Sequence, residues 1–365
     1  MWLFSNMKKT VFLNGRFLTR PLTGVQRTAF EMVCAIDRLI EKKQVEVDDV
    51  SLVLIYSGEI INPIELKHIK LLQRGKFTGN VWEQLELPLY TWGSLLISMC
   101  SISTLFKAKQ ILIVHDASFL VNKSFFSFAF RTWYKFAIPF ISFICRQIVT
   151  VSYFSRSELI KHGGINPKKL TVIYNSADHI LRFGEPSETF TQKINALKPY
   201  CLTVSSLGAN KNFPGLSKAI AKIDFSNYHM LIAGGEIGTL KYAPPGSEVN
   251  YLGYVSNDEL KYLYTNASLF IFPSFYEGFG IPPLEAMICQ CPVIASNTSS
   301  IPEVLADACD YFDPSDSEGM AQAIATLIND KARLNELKIK GYQRALNYDW
   351  EKSGLQLYKL IQKFY

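Results

Sequence analysis

Short apolar runs of strand length recur along the chain, and the segments between many of them carry apolar positions at helical spacing. In the first half the runs are Thr10–Leu13, Ser51–Tyr56, Gln110–Val114, Gln147–Val151 and Leu170–Ile173. In the second half they are Tyr200–Val204, His229–Ala233, Val249–Leu252, Ser268–Phe272 and Pro292–Ala295. Strand-length runs alternating with helical segments are the mark of βαβ units and parallel sheets. Ser155-Arg-Ser-Glu158 and Ser256-Asn-Asp-Glu259 both read as capping boxes that open a helix directly after a strand. The polar, turn-rich stretch Arg182-Phe-Gly-Glu-Pro-Ser-Glu-Thr189 separates the two series and reads as a linker. The pattern therefore predicts two doubly wound α/β domains, over residues 1–184 and 185–349. The helically spaced tail, 350–365, is expected to fold back on the first.

Composition adds to this picture in three places. A chain of 365 residues with 48% hydrophobic content can fill two cores, which excludes a disordered protein. Its seven cysteines are scattered, mostly within apolar runs, and read as reduced core thiols of a cytosolic protein; Cys289-Gln-Cys291 lacks the spacing of a zinc site. Charge is uneven: residues 1–182 hold 23 Lys/Arg against 13 Asp/Glu, and residues 183–365 hold 15 against 19. A basic first half suggests an anionic partner, a membrane surface or a phosphate-bearing acceptor, and no nucleic-acid motif accompanies it.

The opening MWLFSNMKK is too short for a signal peptide, and no uninterrupted apolar stretch is long enough for a spanning helix. The nearest approach is Phe125–Cys145, interrupted by Arg131, Lys135 and Pro139. Two readings of it stay open: a core helix packed on a sheet, or an interfacial helix with aromatics toward lipid and cations toward headgroups. A cytoplasmic protein is expected, with peripheral contact to the inner face of the plasma membrane under the second reading.

Doubly wound domains bind ligands at the carboxyl ends of their strands, near helix N-termini, so chemistry is sought in the loops that follow strands. After Thr10–Leu13 comes Asn14-Gly-Arg-Phe-Leu-Thr-Arg-Pro-Leu-Thr-Gly-Val-Gln-Arg27. Gly24 stands where a helix should begin, and Arg16, Arg20 and Arg27 surround the loop with positive charge; an ordinary turn glycine with solvated arginines is the plain alternative. Gln110–Val114 delivers His115-Asp116 to a strand end, where Asp116 has two possible tasks, orienting the imidazole or capping the next turn. The other four histidines read as structural. Tyr200–Val204 leads to Lys211 in a loop of small residues, where it could reach a phosphate or simply be a solvated lysine.

The most informative stretch is Ser274-Phe-Tyr-Glu-Gly-Phe-Gly-Ile-Pro-Pro-Leu-Glu-Ala286. Glu277 precedes a glycine-flanked Phe279, Pro283 suits a first helical turn, and Glu285 is expected inside that same turn. Glycines free the backbone to offer N–H groups to an anion, and a carboxylate is a bidentate acceptor for vicinal hydroxyls. Two acids separated by such a run fit a nucleotide-sugar, one for each of its two polyols. A helix whose acid merely complements the dipole would account for Glu285 alone.

Glu277-Gly-Phe-Gly-Ile-Pro-Pro-Leu-Glu285-Ala-Met, with Cys-Pro-Val-Ile-Ala-Ser296 and Ile301-Pro-Glu-Val304, resembles the signature of retaining glycosyltransferase family 4. Asn14-Gly-Arg, Thr23-Gly-Val-Gln-Arg27, Trp82-Glu-Gln84, His115-Asp116, Thr150-Val-Ser152, Lys211-Asn212 and Gly253-Tyr-Val-Ser256 follow in the family's order, so the resemblance covers nearly the whole chain. It implies a GT-B fold, two Rossmann-like domains facing across a cleft, with no metal and no cofactor beyond the nucleotide-sugar donor. By resemblance Glu285 holds the ribose, Glu277 the donor sugar, and Lys211 the diphosphate. The backbone of Gly278, Phe279, Gly280 and Ile281 contacts sugar and phosphate, while Tyr254 and Val255 border the base. Gly24 lies near the phosphates, and His115 bonds the transferred sugar.

Many relatives carry an arginine about where this chain has Ser205-Ser206, so Ser206 takes that place among the donor contacts and more of the neutralisation falls to Lys211. Asp313-Pro-Ser-Asp316 reads as a capping sequence, not a metal motif. The activity implied is retaining, front-face transfer of a hexose to a lipid-linked or oligosaccharide acceptor in surface polysaccharide assembly, such as O-antigen. GDP-mannose is the first donor expected and a UDP-hexose the next. A GT-B nucleotide-sugar epimerase and a non-catalytic sugar-binding scaffold are the alternatives.

Overall fold

The computed structural model describes residues 8–121, 127–204, 208–234 and 249–365. It divides into two units, one formed by residues 1–175 together with 350–365 and the other by residues 176–349. Each is built on one fully parallel sheet.

The first sheet has seven strands: β1 (Lys9–Asn14), β2 (Val50–Tyr56), β3 (Lys70–Gln73), β4 (Leu95–Ser98), β5 (Gln110–Ile113), β6 (Gln147–Thr150) and β7 (Leu170–Val172). Their spatial order is β3-β2-β1-β4-β5-β6-β7. The second has six: β8 (Tyr200–Val204), β9 (His229–Ala233), β10 (Val249–Gly253), β11 (Leu269–Phe272), β12 (Val293–Ser296) and β13 (Asp310–Phe312), in the order β10-β9-β8-β11-β12-β13. All ten expected strands are present. Three more join them, and each is weakly marked in sequence. β3 is a largely exposed edge strand, β4 has only four residues, and β13 has three.

Both orders reverse direction once, between β1 and β4 in the first unit and between β8 and β11 in the second. At such a point the two neighbouring chains leave their strands toward opposite faces, and a crevice opens at the carboxyl ends. The fold class is that of the GT-B proteins.

Helix starts follow local capping chemistry. Ser256 forms the expected capping box with Glu259 ahead of the helix Asn257–Asn266. The other expected box is displaced: Ser152, not Ser155, caps the helix Tyr153–Gly163 by accepting from the Ser155 N–H at 2.9 Å. The helix begins one turn early because Ser152 leaves β6 directly. Ser155 is then an interior residue, and its hydroxyl donates to the His115 carbonyl at 3.2 Å.

The tail returns to the first unit as the helix Trp350–Gln362, packed on the helix Gly24–Glu41. Trp350, Leu357, Tyr358 and Ile361 enter the core beside Met32, Ala35 and Ile36. Gly354 permits the close approach, since a Cβ there would lie 3.0 Å from Ala35 Cβ. Glu351 anchors the outer edge through Lys42 at 2.7 Å and Arg38 at 3.3 Å.

The helix Phe128–Ile144 packs into the core along one face, as the first reading of its sequence expects, and leaves aromatics exposed on the other. Ala137, Ile138 and Ile141 pack into the core with Ile148 and Leu159, while Phe136, Phe140 and Phe143 stand in solvent, 62%, 41% and 82% exposed. Its last carbonyls are held by the Lys169 ammonium, which donates to Ser142, Phe143 and Cys145 at 3.0, 2.6 and 2.9 Å. No helix among the described residues is long and apolar enough to cross a membrane. The seven cysteines are free thiols, five of them buried.

Trp350 opens the returning helix and is wholly buried in the first unit's core, so Trp350→Ala is expected to lower stability by about 3–5 kcal/mol. Denaturant unfolding monitored by circular dichroism measures it.

Candidate functional site

In the second unit the strand-order reversal sets two loops side by side, the one after β8 and the one after β11. The β8 loop carries Ala209-Asn-Lys-Asn212 and the β11 loop carries Pro273–Gly280. Asn210 stitches them: its carbonyl accepts from the Phe275 N–H at 2.7 Å and its amide donates to the Tyr276 carbonyl at 3.2 Å. Asn212 takes left-handed backbone and donates to the Pro314 carbonyl at 2.7 Å. With both neighbours pinned, Lys211 is directed at Glu277, and its ammonium donates to Oε1 at 2.7 Å. It also stands 5.8 Å from the centre of the Phe272 ring. Lys211 is therefore no solvated surface lysine.

The loop after β12 supports Glu277 from behind. The Glu277 N–H donates to Ser299 Oγ at 3.0 Å, and Ser300 Oγ donates to the Glu277 carbonyl at 3.0 Å. Phe279 is buried edge-on against Tyr348 at 5.5 Å, so its ring serves packing and only its backbone faces the loop. Gly280 caps the helix Ile281–Ile288 at φ 101°, and a Cβ there would fall 2.7 Å from Ile301 Cδ1. Both conformation and space demand glycine.

Glu285 lies deeper than its sequence position suggested. It is the fifth residue of that helix, one turn beyond the start, because the helix opens at Ile281 ahead of both prolines. Its carboxylate is buried, with His179 Nε2 at 2.9 Å from Oε1 and the Tyr264 hydroxyl donating to Oε2 at 3.2 Å. Burial first, and the Glu285 charge second, raise the Tyr264 pKa well above the ordinary phenol range, so Tyr264 is a fixed donor. His179 is wholly buried on the short 3-10 helix Asp178–Arg182. Neither partner carries a local sequence signal: His179 lies ahead of the stretch read as the second domain, and Tyr264 sits in an ordinary helix.

Tyr254 and Val255 follow β10 at the edge of the sheet, with Tyr254 almost fully exposed. Ser206 lies outside the described residues. Asp316 caps the helix Ser317–Asn329 through the N–H groups of Glu318 and Gly319, and Asp313 accepts from Ser315 at 2.8 Å, which is a capping arrangement.

In the first unit, Gly24 opens the helix Gly24–Glu41, and no atom lies within 4 Å of the place a Cβ would take. The arginines behave differently from a solvated ring of charge. Arg16 is buried; Nη1 bonds Glu83 and Nη2 bonds Asn80, while Asn14 Nδ2 donates to the same Glu83 at 2.7 Å and to Ser98 Oγ at 3.3 Å. Arg27 stands 3.8 Å from Glu31. Asn14-Gly-Arg16 and Trp82-Glu-Gln84, separate in sequence, thus interlock at the β1/β4 reversal. Burial pushes the Glu83 carboxyl up, opposed by the Arg16 charge and the Asn14 amide.

His115 leaves β5 buried, its Nε2 at 2.7 Å from the Met99 carbonyl. A carbonyl only accepts, so Nε2 carries the proton and Nδ1 is the acceptor nitrogen of the neutral ring. Burial lowers the His115 pKa below 6.5, against smaller opposing effects of the Met99 carbonyl and Asp116. Asp116 does not orient the imidazole; it caps the next turn by accepting from the Ser118 N–H at 2.9 Å and hydroxyl at 2.6 Å.

Two parallel, singly reversed sheets define a doubly wound α/β architecture of the GT-B class, and solved structures match over nearly the whole chain. Sucrose-phosphate synthase from Thermosynechococcus elongatus aligns with a TM-score of 0.75 at 17% identity, covering 98% of this chain and 99% of that one. WaaG, a glycosyltransferase involved in lipopolysaccharide biosynthesis, aligns with a TM-score of 0.70 at 15% identity, covering 96% and 99%. Residues 185–344 match the family model described as Glycosyl transferases group 1. Among curated relatives, O-antigen chain mannosyltransferase B of Escherichia coli is 34% identical over 232 residues, 59% of this chain and 61% of that protein. O-antigen chain mannosyltransferase RfbU of Salmonella typhimurium is 30% identical over 226 residues, 60% of each. These matches span about three fifths of the relatives' length.

A base whose pKa is lower folded than unfolded binds fewer protons when folded, so its stabilisation is full above the unfolded value and is lost as pH falls below it. Thermal melting is expected to weaken below about pH 6.5, and His115→Gln to flatten that part of the profile. Melting temperatures across pH 5–8 for both proteins measure it.

Proposed function

We propose that the protein is a retaining hexosyltransferase of glycosyltransferase family 4 that uses a nucleotide-diphosphate sugar, GDP-mannose first and a UDP-hexose next. Its acceptor would be a lipid-linked or oligosaccharide chain in surface polysaccharide assembly. The observation that carries this reading is the Lys211–Glu277 ion pair at the β8/β11 reversal, eight positions ahead of a buried, hydrogen-bonded Glu285. The O-antigen mannosyltransferases among the relatives support mannose as the sugar.

In this reading the ammonium of Lys211 keeps one N–H on Glu277 and turns the other two to diphosphate oxygens. Glu285, its carboxylate held by His179 and Tyr264, would hold a ribose hydroxyl. Glu277 receives the donor sugar's hydroxyls, with the Gly278–Ile281 backbone beside them and Gly24 near the phosphates. Neutral His115 accepts from the transferred sugar through Nδ1. The acceptor oxygen bonds to the anomeric carbon on the face from which the phosphate oxygen departs, and the leaving phosphate takes the acceptor's proton. Lys211 stabilises the charge that grows on that phosphate. The exposed Phe136, Phe140 and Phe143, with Lys135 exposed on the same helix, support docking on an anionic membrane.

Calorimetry should detect binding of GDP-mannose or a UDP-hexose, and Lys211→Ala or Glu285→Ala should weaken it about tenfold or more. Glu277→Ala should abolish transfer to an oligosaccharide acceptor. If no nucleotide-sugar binds and Glu277→Ala changes nothing, the transferase reading is wrong; interconversion of the donor without acceptor would instead favour an epimerase. Separately, anionic vesicles should sediment the protein at low salt and less at high salt, with Phe136→Ser/Phe140→Ser reducing sedimentation at both.

A further inference from the structure

The Lys211–Glu277 pair sits where the loops after β8, β11 and β12 converge. The Lys211 ammonium lies 2.7 Å from Glu277 Oε1, and the two side chains are 22% and 12% exposed. The loop after β12 fixes the run that leads to Glu277. Ser296 Oγ donates to the Ser274 carbonyl at 2.6 Å, and Thr298 Oγ1 donates to the Phe275 carbonyl at 3.1 Å. Ser299, which accepts the Glu277 N–H, takes left-handed backbone at φ 58°. This anchoring keeps the carboxylate beside the ammonium.

Formal charge in these loops cancels. Residues 205–212, 273–280 and 297–300 contain one cation, Lys211, and one anion, Glu277. A nucleoside diphosphate whose phosphates reach Lys211 therefore meets an ammonium whose field is opposed by a carboxylate in contact with it. The pair is largely buried, so salt screens that opposition less than it would at an open surface. A nucleotide-sugar sets something against it, because its sugar hydroxyls donate to Glu277. The nucleotide left after transfer has lost those hydroxyls, and its terminal phosphate, now a monoester, is more negative near neutral pH.

We infer that Glu277, besides contacting the sugar, limits the affinity of the site for bare nucleotide. Its carboxylate offsets the Lys211 charge, so the nucleotide product is released and the nucleotide-sugar is preferred over it. This inference rests on the hexosyltransferase reading and concerns how the same site empties, not the transfer step itself.

Calorimetry with GDP, UDP, GDP-mannose and UDP-glucose on the wild type and on Glu277→Gln tests it, since glutamine keeps the shape and an acceptor oxygen and removes the charge. The nucleotide that binds the wild type should bind Glu277→Gln about tenfold tighter at about 50 mM salt and only about threefold tighter at about 500 mM. The matching nucleotide-sugar should bind no tighter, and the parent nucleoside should bind both proteins equally. A merely structural Glu277 would move all three together. In a stopped-flow chase, a fluorescently labelled nucleotide should leave Glu277→Gln about tenfold more slowly. Melting curves establish that the variant is folded. Should it not be, the wild type decides: cancelled charge predicts that its nucleotide affinity weakens about threefold or less between the two salt concentrations. Nucleotide binding that is unchanged or weaker in Glu277→Gln, a gain shared by the nucleoside, or a steeper salt dependence in the wild type would overturn the inference and leave the transferase reading in place. Failure of every nucleotide and nucleotide-sugar to bind would sink both.

Discussion

Everything of chemical interest in each unit depends on a single reversal of strand order. In a parallel sheet wound in both directions from its middle, two adjacent strands send their chains to opposite faces, and nothing covers the gap between their carboxyl ends. In the second unit that gap lies between β8 and β11, and it brings residues sixty-six positions apart in sequence into an ion pair. In the first it lies between β1 and β4, where Asn14, Arg16 and Ser98 gather around Glu83. The sheets provide rigidity, and the loops that leave them carry the polar groups.

Each polar group is then fixed by others that have no role of their own in the proposed chemistry. Asn210 and Asn212 flank Lys211 and are both bonded to other loops. Ser299 and Ser300 hold the peptide of Glu277, and His179 with Tyr264 holds the carboxylate of Glu285. Supporting bonds of this kind turn a loop into a preorganised surface, because side chains held in place lose less entropy on binding.

This layering explains what could be read in the sequence. The ten long apolar runs announced their strands because both faces of a parallel sheet are buried, whereas β3 at the exposed edge has no such run. Glu277, Gly280 and Glu285 were legible because glycine, proline and acid at fixed spacing make a local statement about backbone and charge. His179, Tyr264 and Asn210 were not, since their importance arises only when distant segments meet. The displaced cap at Ser152 and the depth of Glu285 share a cause: both helices begin two or three residues before the position that a local motif favoured.

The first loop of each sheet carries a cation, yet Arg16 and Lys211 differ in what remains available to a ligand. The planar fork of Arg16 is spent on Glu83 and Asn80, and the side chain as a whole is buried. Such a group is a rigid brace for the loop that leaves β1. The ammonium of Lys211 engages Glu277 with one donor, keeps two, and sits on a flexible stem that stays partly exposed. It can rotate to follow a phosphate whose charge grows during reaction without losing its carboxylate partner. The two side chains thus differ in kind: Arg16 braces the first reversal, and Lys211 keeps the donors that suit the diphosphate proposed for the second.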